Sequence, residues 1–209
     1  MARPPTEPAA GEGDGHVVSP LWTAWRAQVD LDEYDARFDG TEAHGEVDLI
    51  ESYSPSSVLD AGCGTGRVAG ELHRRQIEVV GVDLDDEMLE RARRRIPGVE
   101  WVCADLATFH LGREFDLVAL PGNVLVYCRP EVRAHVIRRC AAHLRAGGLL
   151  VAGFALSASG DVITLGEYDR ACEESGCALI DRWATWDRAP YTGGDYAVSV
   201  HRRRPDTPL

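Results

Sequence analysis

The chain has 209 residues, of which 44% are hydrophobic and 27% are charged, and these are ordinary proportions for a globular protein. This length suits one α/β domain with a full core, and no apolar stretch approaches the roughly 18–20 residues that a membrane-spanning helix requires. The formal net charge of −12 opposes binding to the phosphates of DNA or RNA, so no nucleic-acid partner is expected.

The six cysteines are scattered, and their spacing matches neither a zinc site nor a C-x-x-C redox motif. Residues 1–16 are rich in Pro, Ala, Gly and Glu and lack the apolar centre of a signal peptide, which predicts a disordered leader. We therefore expect a cytoplasmic protein with reduced thiols and with neither a bound metal nor a membrane partner. The sequence leaves the oligomeric state open.

Three short helices are predicted after the leader. Ser19 and Pro20 form a cap followed by a first-turn proline, which is typical of a helix start. Either Asp30 or Asp32 can cap the second helix, and Thr41 is predicted to open the third.

Strands and helices alternate from residue 57 onward. Strand-like runs cover residues 57–61, 78–83, 99–105, 115–121 and 149–156, and helical spacing covers residues 66–75, 85–96, 130–145 and about 166–175. The last two runs, 177–186 and 195–203, are too close for a crossover helix and predict an antiparallel hairpin. The pattern predicts an α/β fold with a Rossmann-like, doubly wound, seven-stranded sheet that is mostly parallel.

The turn after the first predicted strand, in the run VLDAGCGTG, carries three glycines at alternate positions and follows Asp60. In open α/β sheets such a turn lies where ligands bind, and glycine lets the backbone approach a ligand closely. Residues 64–69 match G-x-G-x-x-A, so a nicotinamide-dependent oxidoreductase is one alternative. Asp60 would repel a pyrophosphate, however, and it suits a ligand that carries an ammonium or sulfonium group.

Five motifs in order resemble those of the class I S-adenosylmethionine (SAM)-dependent methyltransferases: VLDAGCGTGRVAGEL, VVGVDLDDEML, VEWVCADLATF, FDLVAL and HLRAGGLLVAGF. The resemblance implies SAM as cofactor and transfer of its methyl group to a small-molecule acceptor by in-line displacement. It also implies a methyltransferase domain over residues 17–203, with a helical lid (17–53), a core (54–203) and a tail (204–209). A protein that binds SAM without methyl transfer is a second alternative.

The same resemblance implies which residues contact the cofactor. In order from its methionyl part to its adenine they are Asp60, Gly62, Cys63, Gly64 and Gly66, then Asp83 at the ribose, Leu84 and Met88 beside the adenosine, and Asp105 and Leu106 at the adenine. Arg37 of the lid would pair with the carboxylate of the cofactor.

The acceptor is less well defined by the sequence. Tyr34, Asn123 and Tyr127 are predicted to line its pocket. No catalytic base has the support of a motif, and the open candidates are His44, Glu46, Tyr127, Asp187 and Tyr191. Five aromatic residues either line an apolar acceptor site or pack in the core: Trp22, Trp25, Trp183, Trp186 and Tyr191.

Overall fold

The computed structural model describes residues 18–38, 44–156 and 162–205. It describes the backbone but not the side chains of Arg37, Phe38 and His44. The predicted leader, Thr41 and the end of the predicted tail lie outside the described residues. The division of the chain into leader, lid, core and tail therefore stays a prediction.

In the described part of the chain, seven strands form one sheet in the order β3-β2-β1-β4-β5-β7-β6. The strands are β1 (Ser57–Ala61), β2 (Glu78–Asp83), β3 (Glu100–Cys103), β4 (Phe115–Leu120), β5 (Leu144–Ala155), β6 (Cys177–Trp183) and β7 (Tyr196–Arg203). Strands β1 to β5 pair in parallel, and β7 runs antiparallel to both β5 and β6. This arrangement confirms the predicted fold class, including the closing hairpin.

Eight helices of the described residues surround the sheet or precede it. They are α1 (Pro20–Arg26), α2 (Leu31–Phe38), α3 (His44–Ser52), α4 (Arg67–Arg74), α5 (Asp86–Arg95), α6 (Val124–Tyr127), α7 (Pro130–Ala142) and α8 (Leu165–Glu174). Ser19 caps α1, since its Oγ accepts a hydrogen bond from the amide of Trp22 at 3.3 Å. Asp30 rather than Asp32 caps α2, because Oδ1 of Asp30 accepts from the amide of Asp32 at 2.8 Å.

The core is divided between the two faces of the sheet. On one face, α3 and α4 cover Val58, Leu117 and Val151, and on the other face α7 and α8 cover their neighbours Leu59, Val118 and Leu150. Adjacent strand residues point to opposite faces, so strands buried on both sides are apolar at successive positions. This explains the apolar runs of β4 and β5. Because β1 to β5 are parallel, their carboxyl ends lie at one edge of the sheet.

Two local predictions were wrong. The helix predicted over residues 130–145 ends at Ala142, because Leu144 already pairs with Phe115 in the sheet. The strand predicted over residues 149–156 begins earlier, at Leu144, so Gly147 and Gly148 lie within β5, where the β4–β5 register shifts. The short helix α6 was not predicted, since four residues carry too little periodicity to be recognised.

Candidate functional site

A cavity of about 240 Å³ opens at the carboxyl ends of β1, β2 and β4. Its walls come from the glycine turn, the end of β2, the loop and short helix after β4, and residues 18–38. These residues are the first described part of the predicted lid (17–53), and the name lid is used for them below. The cavity brings together ten of the predicted site residues: Tyr34, Asp60, Gly62, Cys63, Gly64, Asp83, Leu84, Met88, Leu106 and Tyr127. These ten residues, which are spread over about a hundred positions of the chain, therefore meet at one cavity.

Asp83 connects the end of β2 to the glycine turn. Its Oδ2 accepts a hydrogen bond from the amide of Gly64 at 2.7 Å, and its Oδ1 accepts one from the amide of Asp85 at 2.9 Å. The side chain is only 8% exposed, and this burial raises the pKa of the carboxyl above its ordinary value. Because an ionised carboxylate has about four acceptor positions, Asp83 can still accept hydrogen bonds from a ligand in the cavity.

Asp60 is fully buried behind the same turn. Its Oδ2 accepts from the amide of Ala69 at 3.0 Å, whereas Oδ1 has no hydrogen-bond partner among the described residues. Burial raises the pKa of Asp60 to about 7. A buried carboxylate oxygen without a partner is costly, and a positively charged ligand in the cavity would offset that cost.

Asp60→Asn is expected to remove part of the pH dependence of the apoprotein's stability. An unfolded Asp loses its proton near pH 4, but folded Asp60 keeps it to about pH 7, so stability falls as pH rises between those values. An asparagine at this position does not titrate, so the variant does not lose stability in this way. The melting temperature of the variant minus that of wild type should therefore increase as pH rises from 5 to 8. Thermal unfolding without ligand measures the effect, and Asp48→Asn, at an exposed carboxylate, is the control.

Four predicted site residues are not placed in the cavity wall. Gly66 is the N-cap of α4 and packs against Trp101, and the side chain of Arg37 lies outside the described residues. Oδ1 of Asp105 accepts from the amide of Ala107 at 2.6 Å, and Oδ1 of Asn123 accepts from that of Ala155 at 2.8 Å. Both side chains thus hold local backbone, and their ligand contacts stay predictions.

Arg67 is a wall residue that sequence reasoning missed. It is the first residue of α4, directly after the glycine turn, and its guanidinium contacts Oε1 of Glu46 at 2.5 Å. Its position in the sequence could have revealed it, because a residue directly after the glycine turn lies beside a ligand that binds at this turn. Glu46, proposed above as a base, is therefore engaged in holding this arginine.

An aromatic cluster, which consists of Trp22, Trp25, Tyr34 and Tyr127, forms the wall on the lid side. Trp25 lies at its centre, with its ring centroid 5.0 Å from that of Trp22 and 5.7 Å from those of both tyrosines. Trp183, Trp186 and Tyr191 do not line the cavity, and the two tryptophans pack on the core under α3 and α4.

The lid is tied to the body of the domain at its start and at the end of α1. The amide of Ser19 donates to the carbonyl oxygen of Tyr127 at 2.7 Å. Arg26 pairs with Asp85 at 2.5 Å and with Glu87 at 2.6 Å, at the start of α5. Because Asp85 also donates its amide to Asp83, the lid contacts the same short segment that anchors the glycine turn.

Arg26→Gln is expected to weaken ligand binding in the cavity by about 3–10-fold, because a partly buried pair that holds the lid is lost. The dissociation rate of a bound ligand should increase by a similar factor, measured by stopped-flow fluorescence. Arg93→Gln is the matched control, since it removes ion pairs from the same helix without touching the lid. Equal rates for wild type and Arg26→Gln would contradict a role of this pair in closure.

A parallel sheet that closes with a reversed β7, together with a glycine turn after β1 and a carboxylate at the end of β2, defines a Rossmann-like methyltransferase fold. Residues 58–148 match the family model described as a methyltransferase domain. Over these residues the chain is similar to the SAM-dependent methyltransferases, a family that uses S-adenosylmethionine.

The individual relatives act on different acceptors. The chain is 33% identical over 113 residues to dTDP-3-amino-3,4,6-trideoxy-alpha-D-glucopyranose N,N-dimethyltransferase of Streptomyces venezuelae, covering 53% of this chain and 48% of the relative. It is 38% identical over 97 residues to trans-aconitate 2-methyltransferase of Azoarcus sp. (strain BH72), covering 46% of this chain and 37% of the relative. The chain thus spans about half the length, or less, of these curated relatives.

A TehB-like SAM-dependent methyltransferase from Corynebacterium glutamicum is a similar solved structure. It superposes with a TM-score of 0.76 at 28% identity, and the match covers 89% of this chain and all 100% of that chain. Among the described residues, no helix has the length and apolar character needed to cross a membrane.

Proposed function

We propose that the protein binds S-adenosylmethionine in the cavity and transfers its methyl group to a small-molecule acceptor by in-line displacement. The observation that carries the proposal is the pair of buried carboxylates at one glycine turn, Asp60 and Asp83. Oδ1 of Asp60 has no hydrogen-bond partner among the described residues, so a sulfonium or ammonium group beside it adds a counter-charge to that of the nearby Arg67.

The wall residues fit the parts of this cofactor. Asp83 is the acceptor for the ribose hydroxyls, and Leu84, Met88 and Leu106 provide apolar surface for the adenosine. Arg67 lies in the wall near Asp60 and supplies a guanidinium for the carboxylate of the methionyl part, with Glu46 orienting it. The role given to Arg37 from the sequence passes, in this proposal, to Arg67.

The bound cofactor supplies an activated methyl group, and the chain's own contribution is to orient the reactants and exclude water. The lid closes the cavity with aromatic side chains, and the glycine turn leaves room for close approach. Among the candidate bases, Tyr127 lines the cavity, whereas Glu46, Asp187 and Tyr191 do not. We assign no catalytic base.

The two alternatives differ from the proposal in what they require of the cavity. A nicotinamide dinucleotide would bring a pyrophosphate to the turn beside Asp60, and the ionised carboxylate of Asp60 repels it. A protein that binds SAM without transfer would share the cofactor contacts but would need no second subsite for an acceptor.

Calorimetric titration of the full chain with S-adenosylhomocysteine (SAH), SAM and NAD tests the proposal. We expect SAM and SAH to bind and NAD to bind at least about 100-fold more weakly, which corresponds to about 2.7 kcal/mol. Binding of NAD without binding of SAM or SAH would overturn the proposed function.

A further inference from the structure

The cavity has two chemically different halves. It spans the carboxyl ends of three adjacent strands, β2, β1 and β4. At the usual strand spacing, β2 and β4 lie about 10 Å apart. The charged side chains among its described lining residues, Asp60, Arg67 and Asp83, all belong to the half at β1 and β2. The other half, at the end of β4, is lined by uncharged residues of the lid, of α6 and of the loop before it.

The uncharged half is built around the aromatic cluster. Trp22 and Tyr127 meet edge to face with their centroids 5.4 Å apart, and Trp25 contacts the other three rings. Both tryptophans are only half-buried, so ring surface stays available in the cavity. Apolar side chains of Val18 and Val124 flank the cluster. A surface of this kind favours a flat ring, which can stack on it, over an anionic group, which the negative ring faces repel.

Charge further restricts what this half can bind. An anionic acceptor entering the cavity would meet Asp60 and Asp83, and the cation among the described lining residues, Arg67, contacts Glu46 and is assigned above to the carboxylate of the cofactor. No described side chain of the uncharged half offers a cation to a carboxylate or a phosphate. The cost of placing an unpaired anion there is large compared with the gain from ring stacking.

We propose that the aromatic cluster is the acceptor subsite and that it takes an uncharged aromatic ring. This inference rests on the proposed function, because it assigns the second half of the cavity to the molecule that receives the methyl group. It goes beyond it by naming the chemical class of that molecule. Stacking on Trp22 and Trp25 would fix the plane of the ring, and Tyr127 would form the edge of the subsite near the end of β4.

The test is a calorimetric titration of the full chain, first with SAH and then, at saturating SAH, with 2-naphthol and with 2-naphthoate. The two probes share the ring system and differ in charge. We expect 2-naphthol to bind at least about 10-fold more tightly than 2-naphthoate. Quenching of tryptophan fluorescence by 2-naphthol gives a second readout of the same event.

Variants locate the binding of 2-naphthol. Trp25→Leu and Tyr127→Leu should each weaken the binding of 2-naphthol by about 5–10-fold, whereas Tyr127→Phe, which keeps the ring, should preserve it. The control Tyr191→Leu removes a ring outside the cavity and should leave the affinity unchanged. Melting temperatures of all variants establish that they are folded. If 2-naphthoate binds as tightly as 2-naphthol, or if the two leucine variants weaken SAH but not 2-naphthol, the assignment is overturned. Binding of SAH without 2-naphthol overturns this inference alone, whereas loss of SAH binding overturns the proposed function.

Discussion

Asp83→Ala is expected to weaken SAH binding by about 100-fold, or about 2.7 kcal/mol. Two contributions add to this loss. The carboxylate accepts from the ribose hydroxyls in the proposed complex, and charge-assisted hydrogen bonds of this kind are worth about 1.5–3 kcal/mol each before solvent replaces part of them. It also holds the amide of Gly64 at 2.7 Å, so its removal loosens the turn against which the ligand binds.

Asp86→Ala is the matched control for Asp83→Ala. It removes an exposed carboxylate three residues later, in the first turn of α5, and this carboxylate does not line the cavity. Its effect on SAH affinity should stay within about 2-fold, because an exposed ion pair contributes little. Calorimetry on both variants, with melting temperatures measured without ligand, makes the comparison. If Asp83→Ala binds SAH with the affinity of wild type, the ribose assignment is wrong.

Gly66→Ala is expected to lower the melting temperature by about 5–15 °C, which corresponds to about 2–4 kcal/mol for a domain of this size. The backbone of Gly66 has a φ of +86°, and a Cβ there would lie 2.5 Å from Cη2 of Trp101. The ring of Trp101 also packs closely on Gly81, where an added Cβ would lie 2.4 Å from Cζ3 of the indole. The indole therefore has little freedom to move away, and both strain and overpacking contribute.

Gly147→Ala is the control that separates backbone strain from overpacking in the loss of stability expected for Gly66→Ala. Its φ of +78° is similar, but a Cβ at Gly147 would have no heavy atom within 4 Å. This control should therefore lose only about 1 kcal/mol, from backbone strain alone. Thermal unfolding of both variants is the measurement. Equal losses at the two positions would show that contact with Trp101 is not the reason for glycine at position 66.

The fold could be predicted from the sequence because its elements carry strong local signals. Strands β1 and β2 have the predicted bounds, since each is a short segment centred on apolar β-branched residues and is followed by a turn. The start of β5 at Leu144 could not be predicted, because it depends on pairing with Phe115, which lies 29 residues earlier in the chain. Long-range pairing of this kind leaves no periodic pattern in the segment itself.

The site was predictable where a motif is continuous in sequence and not where the fold assembles distant segments. Asp60, Gly64 and Asp83 are identified by their positions at the ends of two strands. The contacts of Tyr127 with the two lid tryptophans join residues about a hundred positions apart. Sequence reasoning therefore left five aromatic residues as equal candidates for the acceptor site, and the structure separates Trp22 and Trp25 from the other three.

A crystal structure of the full chain with SAH tests the central claim most directly, because it locates the ligand. We expect SAH in the cavity at the ends of β1, β2 and β4, with both ribose hydroxyls within hydrogen-bond distance of the Asp83 carboxylate and the amino group of the methionyl part on the side of Asp60. The aromatic cluster should remain uncovered by the nucleoside. Electron density for SAH elsewhere on the protein, or a nucleoside stacked on Trp22 and Trp25 with Asp83 making no contact, would contradict the account.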